Sequence, residues 1–397
     1  MPRRYNEEIQ VLRAIAILLV MGHHLRALFN WQPEKWQNIG EGLWIGVDLF
    51  FVISGYVIAG PLLSRLNDKQ GIDFWREAGA FWIKRFYRIS PSAWLWLALP
   101  LVFGIFAVHT KIYYFTAPSI SDVAAAVLHV ANLHYYACTV GSGVCGLYTP
   151  YWTLSLEEQF YLVLPFVILL FGKHLRLFLV AVVLAQVFLH REAWVGLPYF
   201  IRTDAFALGV LLAMFSRSPG YRVLDPHLTS TLFRFLVPPL LLAVSVANTR
   251  YQIVPFYTGL AGVIGAIAVW LASYDKGYLI RPSPARKALS WIGTRSYAIY
   301  LVHVPAYFFT REIWAAIEPP GTVFNSTYTI RYVITALLLT VTAAELNYCY
   351  IEEPFRKKGK LIAEKMLTQG ESGVMVSPEP QATSASSTSD QPSRAQA

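Results

Sequence analysis

The chain has 397 residues, of which 55% are hydrophobic, 15% aromatic and only 14% charged. Runs of roughly twenty apolar residues recur along it, which excludes an ordinary soluble globule and indicates a polytopic membrane protein. The formal charge of +9 does not indicate a nucleic-acid binder, because the basic residues alternate with the apolar runs instead of forming one patch.

The first run covers about 8–29 and contains Arg13 and, eleven residues on, His24. In a helix, eleven steps of about 100° overshoot three turns by about 20°, so the two share a face about 16.5 Å apart, with His23 about 80° away. A snorkelling arginine and a satisfied interior histidine explain either residue alone. Together, on an otherwise apolar helix, they read as parts of a site. Arg13 inside the run and the lack of a small-residue cleavage site after it predict a retained helix rather than a signal peptide.

The second run, about 43–63, returns with Asp48 near its outer end, where a carboxylate needs a partner. A basic block, Lys84-Arg85-Phe-Tyr-Arg88-Ile-Ser-Pro91, precedes the third run at about 89–108. A snorkelling belt accounts for these charges, and so does a phosphate-bearing ligand gripped at the cytoplasmic face. The stretch 122–137 is short and carries His129, Asn132 and His134, so it reads as re-entrant or interfacial. The next run opens Tyr151-Trp152-Thr-Leu-Ser155-Leu-Glu157-Glu158. Ser155 or Thr153 suits its N-cap and the glutamates suit the helix dipole, a structural account that competes with a catalytic one.

Further crossings are expected at about 176–190, 198–215, 232–248, 255–273, 289–310 and 328–350, ten in all. Arg202 and Asp204 lie near the outer end of 198–215. Ser296, Tyr300 and His303 form one face of 289–310, as hydrogen bonds between helices or as chemistry. Beyond Glu352-Glu353-Pro354 the chain turns basic and then Ser/Thr/Pro-rich, so 1–360 is expected to be the membrane domain and 361–397 a disordered tail.

Basic residues cluster at Arg3–Arg4, Arg65–Arg88, Lys173–Arg176, Arg217–Arg234, Lys276–Lys287 and Arg356–Lys365, whereas the opposite side holds Lys35, Lys111, Arg191, Arg250 and Arg311. That asymmetry puts both termini in the cytoplasm and the protein in the inner (plasma) membrane. Cys138 and Cys145 fall outside and are able to form a disulfide.

Seven blocks in order carry a resemblance: Arg13-x10-His24, Gly46-Val-Asp48-Leu-Phe-Phe-Val-Ile-Ser54-Gly55-Tyr56, Arg85-Phe-Tyr-Arg88-Ile-x-Pro91, Trp152-x-x-Ser155-x-Glu157-Glu158-Gln159-Phe160-Tyr161, Arg202-x-Asp204, Ser296-Tyr297-x-x-Tyr300-Leu301-x-His303-x-Pro305 and Glu353-Pro354. Over about residues 5–357 the chain resembles the integral-membrane acyltransferases that include O-antigen and other surface-polysaccharide O-acetyltransferases. The resemblance implies a ten-helix enzyme that takes an acyl group, usually acetyl, from cytoplasmic acyl-CoA and passes it to a hydroxyl of an extracytoplasmic glycan. It maps the family's arginine and histidine to Arg13 and His24, and its glutamate to Glu157. Lys84 stands where many relatives have arginine, and the esterase-like domain of some members is not expected here.

The chemistry then predicts His24 as general base, oriented by Glu157 with Asp48 or Glu158 in reserve. Arg13 is expected at the thioester or along the donor's arm, and Arg85, Arg88 and Lys84 at the phosphates. The expected partners are membrane lipid and a glycan, lipid-linked sugar or glycoside, with no metal and no nucleic acid. A proton-coupled transporter using His24 and Glu157 is the alternative, but no internal repeat supports it.

Overall fold

A computed structural model describes residues 6–104, 110, 117–192, 195–226 and 231–372. Lys111 and residues 373–397 of the expected tail lie outside the described residues.

Helix α1 (Glu7–His23) begins where the Asn6 side chain accepts from the Ile9 N–H at 2.9 Å, with Glu7 and Glu8 in its first turn. It gives way to α2 (Leu25–Leu28) and α3 (Pro33–Gly40), and α4 (Ile45–Leu66) follows. Next comes α5 (Gly71–Gly104), a single helix of 34 residues. The basic segment before Arg88, expected to be a connection, is therefore helical and continuous with the third run. The 122–137 candidate divides into α6 (Ala117–Val127) and α7 (Ala131–Thr139) around His129, whose φ is +56°. Neither piece is long enough to span a bilayer alone.

The chain continues through α8 (Tyr151–Phe171), α9 (Leu175–Val187), α10 (Leu197–Phe200), α11 (Asp204–Phe215), α12 (Pro219–Val223), α13 (Thr231–Tyr251) and α14 (Tyr257–Ser273). The expected 289–310 helix is broken at Arg295 into α15 (Pro284–Thr294) and α16 (Ser296–Ile317), and α17 (Thr329–Asn347) then runs through a π-helical turn, Tyr348–Glu352, into α18 (Glu353–Ser372). Residues 361–372, expected in the disordered tail, are thus helical. Their helix lies on α5, where a Cβ on Gly359 would meet the Tyr87 Cβ at 2.5 Å.

No strand occurs among the described residues. Among the described residues four helical segments, Pro33–Leu66, Tyr151–Val187, Leu197–Phe215 and Ser326–Thr368, are long and apolar enough to cross a membrane. Their polarity is inverted relative to a soluble fold. Leu162, Val163, Phe166, Leu169 and Leu170 of α8 are exposed, whereas Asp48, Arg191, Arg202 and Asp204 are each no more than 2% exposed. Apolar side chains facing out and charges facing in are what a lipid solvent selects.

Helices α4 and α11 cross closely. A Cβ on Gly209 would meet the Val52 carbonyl oxygen at 2.2 Å, and one on Gly55 the Phe206 carbonyl oxygen at 2.3 Å. Only two glycines let the backbones touch here. The α1 start is held differently: the Glu8 carboxylate accepts from the N–H groups of Gly277 (2.9 Å) and Leu279 (2.6 Å) in the loop before α15.

Candidate active site

Five helices, α1, α4, α5, α8 and α16, converge on one cleft. Arg13 enters from α1, Arg85 and Arg88 from successive turns of α5, Ser54 from α4, Thr153, Glu157 and Tyr161 from α8, and Ser296, Tyr297 and Tyr300 from α16. Among the described residues no side chain forms an ion pair or hydrogen bond with any of the three arginines. Arg85 lies instead about 6 Å from the ring centres of Phe81 (6.0 Å) and Tyr161 (5.9 Å). Three like charges left unpaired in one cleft have the chemistry to hold an anion with several oxygens.

Glu157 faces this cleft. Its Oε1 accepts from both Ser54 Oγ and Tyr161 OH. Tyr300 OH donates to the Pro150 carbonyl at 2.6 Å and also meets Thr153 Oγ1, and Tyr297 OH donates to the Ile89 carbonyl at 2.7 Å. These bonds tie α4, α5, α8 and α16 together around the arginines.

His24 stands at the C-cap of α1, beyond the helix proper. Its partner is not a carboxylate. His24 Nδ1 lies 2.8 Å from the Val20 carbonyl and 3.2 Å from Nε2 of the buried His303, whose own Nδ1 lies 2.8 Å from the Tyr300 carbonyl. A carbonyl only accepts, so His303 carries its proton on Nδ1 and presents a lone pair at Nε2; by the same rule His24 Nδ1 is protonated and donates. The Nε2 of His24 is left as the basic nitrogen, and it makes no hydrogen bond among the described residues. His23 turns away, its Nδ1 3.1 Å from the Gly40 carbonyl.

The expectation that Glu157, Asp48 or Glu158 orients His24 is therefore corrected. Glu157 is taken by Ser54 and Tyr161. Asp48 forms a two-pronged ion pair with Arg202, 3.1 and 3.3 Å. Glu158 lies on α8 with its Oε1 buried and without a hydrogen bond.

Arg202 and Asp204, two residues apart, do not pair with each other. Asp204 binds Arg191 at 3.0 and 3.1 Å, while Arg202 sits among the rings of Tyr199, Trp44 and Trp152 at 4.4, 5.0 and 5.4 Å from their centres. Trp152 thus belongs to this cage rather than to the cleft, and Arg191, expected in an outer segment, is buried. Ser155 accepts from the Ala131 N–H at 3.2 Å, the first residue of α7. Lys84 does not line the cleft.

Sequence reasoning passed over Ser54 and Tyr161, although both stand in quoted blocks. Tyr161 follows Glu157 by four residues, the spacing that puts two side chains on one helix face. A disulfide joins Cys138, near the end of α7, to Cys145 in the segment that follows.

A family model described as an acyltransferase domain matches residues 6–345. The chain belongs to this acyltransferase family. Among its relatives, the peptidoglycan O-acetyltransferase OatA of Listeria monocytogenes is 30% identical over 387 residues, 90% of this chain and 57% of the relative. The O-acetyltransferase OatA of Staphylococcus aureus is 28% identical over 90% of this chain and 58% of its own length. The putative peptidoglycan O-acetyltransferase YrhL of Bacillus subtilis is 26% identical over 90% and 56%. The acyltransferase chain thus spans little more than half the length of the curated relatives it matches. No solved structure matches it. Membership of the family favours an enzyme over the proton-coupled carrier.

Proposed function

We propose that this protein is a plasma-membrane O-acetyltransferase that moves an acetyl group from cytoplasmic acetyl-CoA to a hydroxyl of an extracytoplasmic glycan, with His24 as general base. Ten crossings with both termini in the cytoplasm complete the reading, which the alternation of basic residues supports. The names of the relatives support a peptidoglycan-type acceptor.

One observation carries it: three unpaired arginines line one cleft, and the helix faces that leave it lead to a histidine whose Nε2 makes no hydrogen bond among the described residues. Arg13 and His24 are eleven residues apart on the α1 line, about 16 Å, and Ser296 and His303 are seven apart on α16, about 10 Å. A donor with an anionic head and a long arm fits that separation. Arg85, Arg88 and Arg13 hold the phosphates. The acceptor hydroxyl attacks the thioester carbonyl, its proton moves to His24 Nε2, and the new C–O bond forms as the C–S bond breaks. The imidazolium then returns the proton to the leaving thiolate. His303 and the Val20 carbonyl both face His24 Nδ1 and hold its proton there, the service that a carboxylate performs in hydrolase triads.

Mass spectrometry of cell-wall glycans from cells with and without the gene tests the reading. It predicts acetyl esters that disappear with the gene; identical glycans in both strains would contradict it.

A further inference from the structure

The π-helical turn between α17 and α18 has no part in the chemistry above, yet it sets a buried carboxylate, Glu352, on α5, the helix that carries Arg85 and Arg88. Asn347, the last residue of α17, is fixed on α5: its side-chain oxygen accepts from Trp96 Nε1 at 3.2 Å and its nitrogen donates to Ser92 Oγ at 3.2 Å. In a regular α-helix Glu352, five residues on, would lie about 140° round from Asn347. In a π-helical turn, residues five apart take the stacked positions that residues four apart occupy in an α-helix. The turn therefore brings Glu352 back to the face that packs on α5, one turn below Ser92 and level with Arg88. Past it, Phe355 stacks on Tyr87 with 6.5 Å between ring centres.

Glu352 is 2% exposed. Its Oε2 is buried and has no hydrogen bond among the described residues, and the guanidinium groups of Arg88, Arg356 and Arg13 lie near it without forming an ion pair. Glu353, beside it, is already engaged with Arg356 and Lys357. A buried carboxylate near unpaired arginines, but not bonded to them, competes with whatever anion the arginines bind.

We propose that Glu352 is a built-in counter-ion of the arginine cleft, a positioning residue that aims Arg88 and limits how tightly the polyphosphate donor is held, so that the spent donor leaves. This rests on the cleft being the donor site, as proposed above. Binding of a polyanion displaces the influence of Glu352 from Arg88; its departure restores it.

The test is a double-mutant cycle on the purified full chain in detergent, titrated with coenzyme A and, separately, with inorganic pyrophosphate. Glu352→Gln should tighten the Kd for coenzyme A on the order of five-fold, and the gain should fall below about two-fold in an Arg88→Ala background. Glu352→Asp, which keeps the charge, should bind within about two-fold of wild type and serves as the comparison should Glu352→Gln lower the thermal midpoint. A structural role would weaken binding and stability together in both variants. Unchanged or weaker binding by Glu352→Gln, or a gain that persists without Arg88, would overturn the proposal. Wild type that binds pyrophosphate but not coenzyme A would overturn the donor reading alone, and the pyrophosphate series would still decide the role of Glu352.

Discussion

His303 Nε2 lies 3.2 Å from His24 Nδ1, beside the Val20 carbonyl at 2.8 Å, so two acceptors face the nitrogen of His24 that carries its proton and Nε2 is left to accept one. Neutral imidazoles alternate donor and acceptor nitrogens, so the chain of bonds from the Tyr300 carbonyl through both rings fixes each tautomer in turn.

The first prediction is that His303→Ala lowers acetyl transfer by on the order of 10- to 100-fold without removing the base itself. His303→Gln, able to offer an oxygen where Nε2 stood, should recover part of that loss. Transfer rates and thermal midpoints of the two variants, measured side by side, check it; equal rates in both would show that His303 only fills space.

A second expectation concerns the cleft. Each charge-assisted bond to a phosphate contributes about 1.5–3 kcal/mol, so Arg85→Ala or Arg88→Ala should raise the donor KM by about 10- to 100-fold. Lysine at either position should restore less than half of the lost binding energy, because a point charge replaces a planar fork. An unchanged KM in the double alanine variant would mean that the arginines only face the membrane surface.

Removal of Asp48 should act on stability rather than on chemistry. Asp48→Ala leaves Arg202 buried among Tyr199, Trp44 and Trp152 with no anion, and breaking such a pair costs about 3–5 kcal/mol. The expected result is loss of monodisperse protein on size-exclusion chromatography, with Arg191→Ala behaving alike because it orphans Asp204. Full yield and an unchanged midpoint for both would contradict the account of the ion-pair cluster.

Much of this was legible in the sequence, and the remainder has a common cause. Helical periodicity assigns a side chain to a face, so the Arg13–His24 alignment and the Ser296–Tyr300–His303 stripe could be read directly. It does not say which helix that face meets. His24 meets His303 across 279 residues of chain, and Glu157 meets Ser54 across 103, so the expected carboxylate partner of His24 was wrong although His24, His303 and Glu157 had all been noticed. The ion pair of Arg191 went unforeseen for a related reason: charge bias assigns it to a side of the membrane, and only packing reveals Asp204 beside it. The π-helical turn at Tyr348–Glu352 leaves no compositional trace at all.

Sidedness has its own check. In a Cys349→Ala background, Lys173→Cys should react with a membrane-impermeant thiol reagent only after the inner face is opened, and Val323→Cys, at 80% exposure in the α16–α17 connection, should react in intact cells. Labelling of both from one side would overturn the ten-crossing arrangement.

The central claim is that His24 takes the proton of the acceptor hydroxyl. The most direct measurement is the rate of transfer from labelled acetyl-CoA to glycan in membrane vesicles carrying wild type, His24→Asn or His23→Ala, at equal amounts of folded protein. Asparagine keeps a hydrogen bond and cannot take the proton, so His24→Asn should be slower by on the order of 10²- to 10⁴-fold, while His23→Ala, turned toward Gly40, retains most of the rate. Near-normal transfer by a folded His24→Asn protein would contradict the account.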